Sequence, residues 1–180
     1  MRFLDYKLVR VVFVLLMVAA LVPAAGAKDK TTEKLPKYYS EWLNRDVAYI
    51  ITREERRTFL RLTSDQARDD FIKRFLAIRN PAPGSPVNTY ENEIYRRIAY
   101  ANAHFGVGSG GAGWRTARGQ AYIELGPPQQ IQRYMSAPNL RPIEIWFYST
   151  SNPALPPFFY VLFYQRDNIG DFRFYSPYMD

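Results

Sequence analysis

The run Gly106–Gly113 constrains this chain more than any other stretch, because five glycines fall within eight residues and the spacing of apolar residues changes across it. Upstream, apolar residues recur at three and four positions, as one buried face of a helix requires; downstream they alternate, as a half-buried strand requires. Helices followed by strands point to an α+β fold, whereas a doubly wound parallel sheet needs the two interleaved. The expected architecture is three or four helices, then a four-stranded antiparallel meander with the helices on one face.

In the helical half, residues 36–105, Pro36 opens a helix over about 36–46 that buries Tyr39, Trp42 and Leu43. The β-branched run Val47–Ile51 either extends that helix or forms a short strand. Thr52 with Glu55 reads as a capping box that starts a helix over 53–61. Ser64 caps the next, on which Phe71, Ile72, Phe75, Leu76 and Ile78 form a stripe, and Asn80-Pro81 ends it. A fourth runs from Thr89 to Phe105, with Ile94, Ile98, Ala101 and Phe105 on one side and Gly106 as its stop. On it, Glu93 and Arg97 are spaced for an i, i+4 ion pair.

In the sheet half, residues 114–180, strands are expected over 119–125, 143–148, 159–164 and 172–175. Gly126-Pro127-Pro128 breaks the first, and Gln129–Tyr134 reads as one helical turn. Alternation puts Ile143, Ile145, Phe147, Phe159, Val161, Phe163, Phe172 and Phe174 toward the helices. It leaves Trp146, Tyr148, Tyr160, Tyr164 and Tyr175 as an aromatic platform for an envelope protein or glycan, unless the helices or a second copy cover that side as well. Such rings suit half-wet surfaces, since each carries a polar group on an apolar body. Trp114, where the glycine loop delivers the chain into the sheet half, is expected to cover the junction.

The order Gly113-Trp114-Arg115-Thr116, Arg118-Gly119, Gly126-Pro127-Pro128 resembles the signature of the GWxTD domain of bacterial extracytoplasmic proteins. The likeness extends upstream through Tyr49–Thr52, Glu54-Glu55-Arg56, Phe71-Ile72, Phe75, Arg79-Asn80-Pro81, Asn92-Glu93 and Arg97–Asn102, and so spans about 38–134. It implies an exported protein and no agreed activity. Ala117 stands where the signature has aspartate, so any chemistry of that carboxylate is lost here; if it only ties down the turn, the fold survives with a looser turn.

The N-terminus agrees with export. Met1–Arg10 is basic, Val11–Val22 is a 12-residue apolar run, and Ala25-Gly26-Ala27 supplies small residues before Lys28, the order of a Sec-type signal peptide. The run falls short of the roughly 20 residues of a spanning helix, so no stable membrane span is expected after cleavage, the alternative being that the segment stays uncleaved as an anchor. The domain plan is a signal peptide over 1–27, a flexible lead over 28–35 and a single domain over 36–180, with 106–113 as its connection. Removing residues 1–27 takes Lys plus Arg from 24 to 21 and Asp plus Glu from 17 to 16, leaving +5 with the signs mixed. That is no footprint for nucleic acid.

With no cysteine and His104 as the sole histidine, thiolate sites, multi-histidine metal sites and two-histidine catalysis are excluded. The glycine loop follows a helix and lacks the Gly-Lys-Ser/Thr ending of a phosphate loop, so no nucleotide cofactor is expected. Two function classes follow: a non-catalytic binding or interaction module of the cell envelope in a periplasmic or secreted location, or an envelope enzyme, with hydrolysis as one candidate reaction, using scattered acids such as Asp46, Glu54 or Glu124.

Overall fold

Local polar signals place the helices where the sequence puts them. In the computed structural model, which describes residues 35–107, 110–136, 141–166 and 169–175, α1 (Lys37–Glu41) runs into one π-helical turn (Trp42–Asp46). The stretch from Val47 is a turn, neither strand nor continued helix. α2 (Arg53–Leu60) starts at the expected capping box: Thr52 Oγ1 accepts from the Glu55 N–H at 3.2 Å, and Glu55 Oε2 accepts from the Thr52 N–H at 2.9 Å. Ser64 caps α3 (Asp65–Arg79) and Asn88 caps α4 (Thr89–Phe105). The signal peptide over 1–27 and the lead before Leu35 lie outside the described residues.

These helices build a first apolar cluster from Tyr39, Trp42, Leu43, Val47, Phe59, Ile72 and Phe75. The Trp42 ring lies 5.0 Å from Phe59 and meets Phe75 edge-on at 5.4 Å, geometries that add to area burial. A polar clasp closes it. Glu55 accepts from Arg79 at 2.7 Å, and the Arg79 guanidinium lies 3.7 Å over the Phe75 ring. Burial pushes the Glu55 carboxyl up, but the Thr52 backbone bond and the Arg79 bond outweigh it and hold the carboxyl below its usual range.

Two elements differ from expectation. Residues 117–125 form a helix, α5 (Ala117–Leu125), and the four-stranded sheet begins after it with β1 (Gln130–Tyr134), where a helical turn was expected. The described helices therefore number five, not three or four. The reason is burial on more than one side: Ala121, Tyr122 and Ile123 are all inaccessible within one core. A helix buried that way has no single apolar stripe, and its sequence mimics a strand.

The sheet continues through β2 (Ile143–Ser149), β3 (Phe158–Tyr164) and β4 (Arg173–Phe174), antiparallel throughout in the order β1-β2-β3-β4, so the α+β meander stands. Register sets the faces. Ile131 pairs with Trp146 and Trp146 with Val161; Tyr148 pairs with Phe159, and Glu144 with Phe163. This inner set packs with Ile94, Ile98, Ala101 and Phe105 of α4 and with α5 as the second apolar cluster. The outer set holds Ile143, Ile145, Phe147, Tyr160, Leu162 and Tyr164.

Candidate functional site

The chain between α4 and β1 is held by close backbone contacts and a few polar bonds. A Cβ added at Gly113 would collide with the Ala101 carbonyl of α4, and one at Gly119 with the Gly113 carbonyl. Glycine is required at both positions by space. Asn102 accepts from the Trp114 N–H at 3.1 Å, tying the loop to α4. Thr116 is the hub: its hydroxyl donates to the Gly113 carbonyl at 2.8 Å and accepts from the Gly119 N–H at 3.0 Å, capping α5. Ala117 is therefore the first residue of a helix, where a carboxylate would meet the positive end of the dipole. Trp114 is half-buried with its ring 6.1 Å from Tyr49 and Arg115 stacked 4.9 Å over it.

At the other end of α5, Gly126 has φ of +85°, a conformation that costs glycine nothing. Arg97 donates to the Ile123 carbonyl at 2.9 Å, and Glu93 holds Arg97 at 2.7 Å, the expected i, i+4 pair. Bonds from Arg96 and Arg97 outweigh partial burial and take the Glu93 carboxyl down to about 2, the Arg96 bond being the largest cause. Tyr148 donates to the Gly126 carbonyl at 3.3 Å, and burial pushes its phenol well above the usual range. Pro127 is exposed and Pro128 half-buried as the chain turns toward β1.

A buried carboxylate links α5 to the sheet. Glu144 is 3% exposed; its Oε1 accepts from Arg133 Nε of β1 at 2.6 Å, and its Oε2 from Arg118 of α5 at 3.4 Å and from the Trp146 indole at 3.3 Å. The Arg118 guanidinium lies 5.1 Å over Phe105 and 4.5 Å over Phe172. A carboxylate so buried persists only when paired, and here two guanidiniums pair it.

The five residues expected to form an aromatic platform do not share a face. Trp146 is fully buried and Tyr148 is 6% exposed, both inward, whereas Tyr160, Tyr164 and Tyr175 lie outward. Conversely Ile143, Ile145 and Phe147, expected inward, face outward beside them. Phe159, Val161 and Phe163 do point inward; Phe172 is buried, and Phe174 packs on Phe163 at 5.3 Å while remaining 40% exposed. The expected phase of β2 was thus inverted. Glu144, which the same alternation puts outward with Trp146 and Tyr148, is instead buried between Arg118 and Arg133, and this change of phase carries every side chain of the strand to the other face.

The GWxTD domain matches residues 26–174. The chain belongs to the GWxTD domain family. No curated protein and no solved structure matches it. In this GWxTD domain the signature residues Gly113, Trp114, Thr116, Arg118, Gly119, Gly126, Pro127 and Pro128 converge on α5, its two ends and its link to the sheet. Glu144 and Arg133 complete that constellation and were not singled out from sequence. The usable signal was a lone acid inside an apolar strand.

The acids considered for hydrolysis occupy three different elements of the GWxTD domain. Asp46 is buried in the π-helical turn against Arg45 at 2.6 Å, Glu54 is exposed in the first turn of α2, and Glu124 is exposed on α5 and bonded to Gln120. His104 stacks on Tyr100 with ring centroids 3.8 Å apart, its Nδ1 2.9 Å from the Tyr100 carbonyl. Among the described residues no group of three or more His, Asp or Glu is placed to hold a metal ion, and no helix is long and apolar enough to cross a membrane. An open groove of about 450 Å³ lies between α1, α3 and the start of α4, lined by Tyr38, Asp69, Ile72, Lys73, Leu76, Asn88 and Glu91. Asp69 is already engaged there as acceptor from the Tyr39 hydroxyl at 2.9 Å.

Proposed function

We propose that this GWxTD domain is an exported, non-catalytic binding module of the bacterial cell envelope, periplasmic or secreted, and that the outer face of its sheet is its contact surface. In this reading the helices cover the inner face alone. The observation that carries it is the composition of the outer face. Ile143, Ile145, Phe147, Leu162 and Tyr164 stand half-exposed beside Tyr160, which is 65% exposed. Contiguous exposed apolar surface of this kind marks an interaction site more often than a catalytic one. The polar residues of the signature, by contrast, are engaged in internal bonds. Export rests on the basic, apolar and small-residue order of residues 1–27.

The test is capture of envelope components by the purified protein against its Phe158→Lys/Tyr160→Lys variant. Both positions are exposed, so the variant is expected to unfold within about 0.5 kcal/mol of the parent, while capture is lost. Undiminished capture by the variant would remove the outer face as the contact surface.

A further inference from the structure

We infer that the outer sheet face binds a second copy of this chain, sheet against sheet; this rests on the reading of that face as the contact surface and names its partner. Three features of the face carry the inference: its area, its charge and its polar rim.

Tyr134, Phe158, Tyr160 and Tyr175 are 45%, 80%, 65% and 55% exposed. Counting about 200 Å² for a whole aromatic side chain, those four present roughly 500 Å². Half-exposed Ile143, Ile145, Phe147, Leu162 and Tyr164 add to it. The sum approaches the roughly 800 Å² per partner of a standard stable interface. Two such faces also suit the aligned stacking of antiparallel sheets about 10 Å apart.

Charge selects the occupant. The chain carries 24 Lys plus Arg against 17 Asp plus Glu, yet in the paired register Arg173, at the β4 edge, is the one charged residue on this face. A partner that recognises by charge finds almost nothing to pair with. A like-charged copy meets no repulsion there. A twofold contact sets each patch against itself, so its polar groups must be self-complementary. Gln130, Gln132 and the tyrosine hydroxyls meet that condition, because amide and phenol groups both donate and accept; a rim of one charge sign would not.

Sedimentation equilibrium on the purified protein tests this. The expected result is a reversible monomer–dimer equilibrium, displaced toward monomer by at least tenfold in dissociation constant in Phe158→Lys/Tyr160→Lys. Ile78→Lys, on α3 and 81% exposed, should leave the equilibrium unchanged. Circular dichroism melting checks that each variant is folded, and the milder Tyr160→Ser should show a smaller shift in the same direction if the lysine pair unfolds. A parent that stays monomeric at every concentration overturns the inference, as does a dimer that none of the outer-face variants weakens. If the parent is monomeric but the face still captures a different envelope protein or a glycan, the second copy is ruled out while the contact-surface reading stands.

Discussion

The two apolar clusters of this domain are built by different rules. In the first, Trp42, Phe59, Ile72 and Phe75 come from helices whose apolar residues are spaced by three and four and whose starts are fixed by local caps, with the Glu55–Arg79 clasp joining α2 to α3. In the second, Trp146, Tyr148 and Phe163 face α4 and α5, and a charged residue, Glu144, is buried on the same side with two guanidiniums to pair it. A strand that is apolar on both sides has no phase of its own. The comparison teaches that the core side of such a strand is fixed by long-range partners, here the aromatic packing of Trp146 and the two guanidiniums that permit Glu144 beside it, as a slip of one residue reverses every side chain.

The largest effect should come from the residue that the phase of β2 buries. Trp146→Ala is expected to cost about 4 kcal/mol, in line with truncation of a fully buried aromatic. Tyr160→Ala, outward on the next strand, should stay within about 0.5 kcal/mol. Denaturant unfolding of the two variants measures both. Similar costs for the pair would erase the distinction between inner and outer faces.

Next comes the carboxylate itself. Glu144→Gln leaves the Arg118 guanidinium, whose side chain is 19% exposed, without its counter-charge, at an expected cost of about 3 kcal/mol. The corresponding Glu55→Gln in the first cluster, where the Glu55 and Arg79 side chains are 29% and 20% exposed, should cost less, about 1 kcal/mol. Equal losses would show that the second cluster gains nothing special from its buried charge.

The pH dependence sharpens the comparison further. Glu93 titrates near 2 in the folded chain against an ordinary 4.5. A depressed carboxyl contributes stability that is fully present above the unfolded value and is lost as pH falls through the folded one. Thermal melts should therefore show a decline between about pH 4.5 and 2 that is shallower in Glu93→Gln. An unchanged acid limb in that variant would place the acid-sensitive contacts elsewhere. Smallest is Ala117→Asp, which adds a carboxylate in the first turn of α5 and should stabilise by about 0.5 kcal/mol. A gain in melting temperature with no new hydrolytic activity is the expected outcome; a new activity would assign the signature aspartate to chemistry.

What could be read from sequence follows the same division. The Thr52–Glu55 box, the Ser64 cap, the Glu93–Arg97 pair and the stop at Asn80 were legible because each is a contact between residues close in the chain. Thr116 was masked as a cap because the residues after it alternate, Ala121, Ile123 and Leu125 against Tyr122 and Glu124, and such alternation reads as a strand although the segment is α5. The pairing of Glu144 with Arg118, 26 positions away, leaves no periodic trace, so β2 was given the wrong phase while β3, which has no such pair, was given the right one.

Because the chain contains no cysteine, single-cysteine labelling gives the most direct test of the β2 phase that places Glu144, Trp146 and Tyr148 inside. Phe147→Cys and Tyr148→Cys, each in the Phe158→Lys/Tyr160→Lys background so that self-association cannot shield the outer face, are adjacent in sequence and opposite in facing. Under native conditions the account predicts rapid thiol modification at position 147 and modification at position 148 only on unfolding; rapid reaction at 148 with protection at 147 would contradict it.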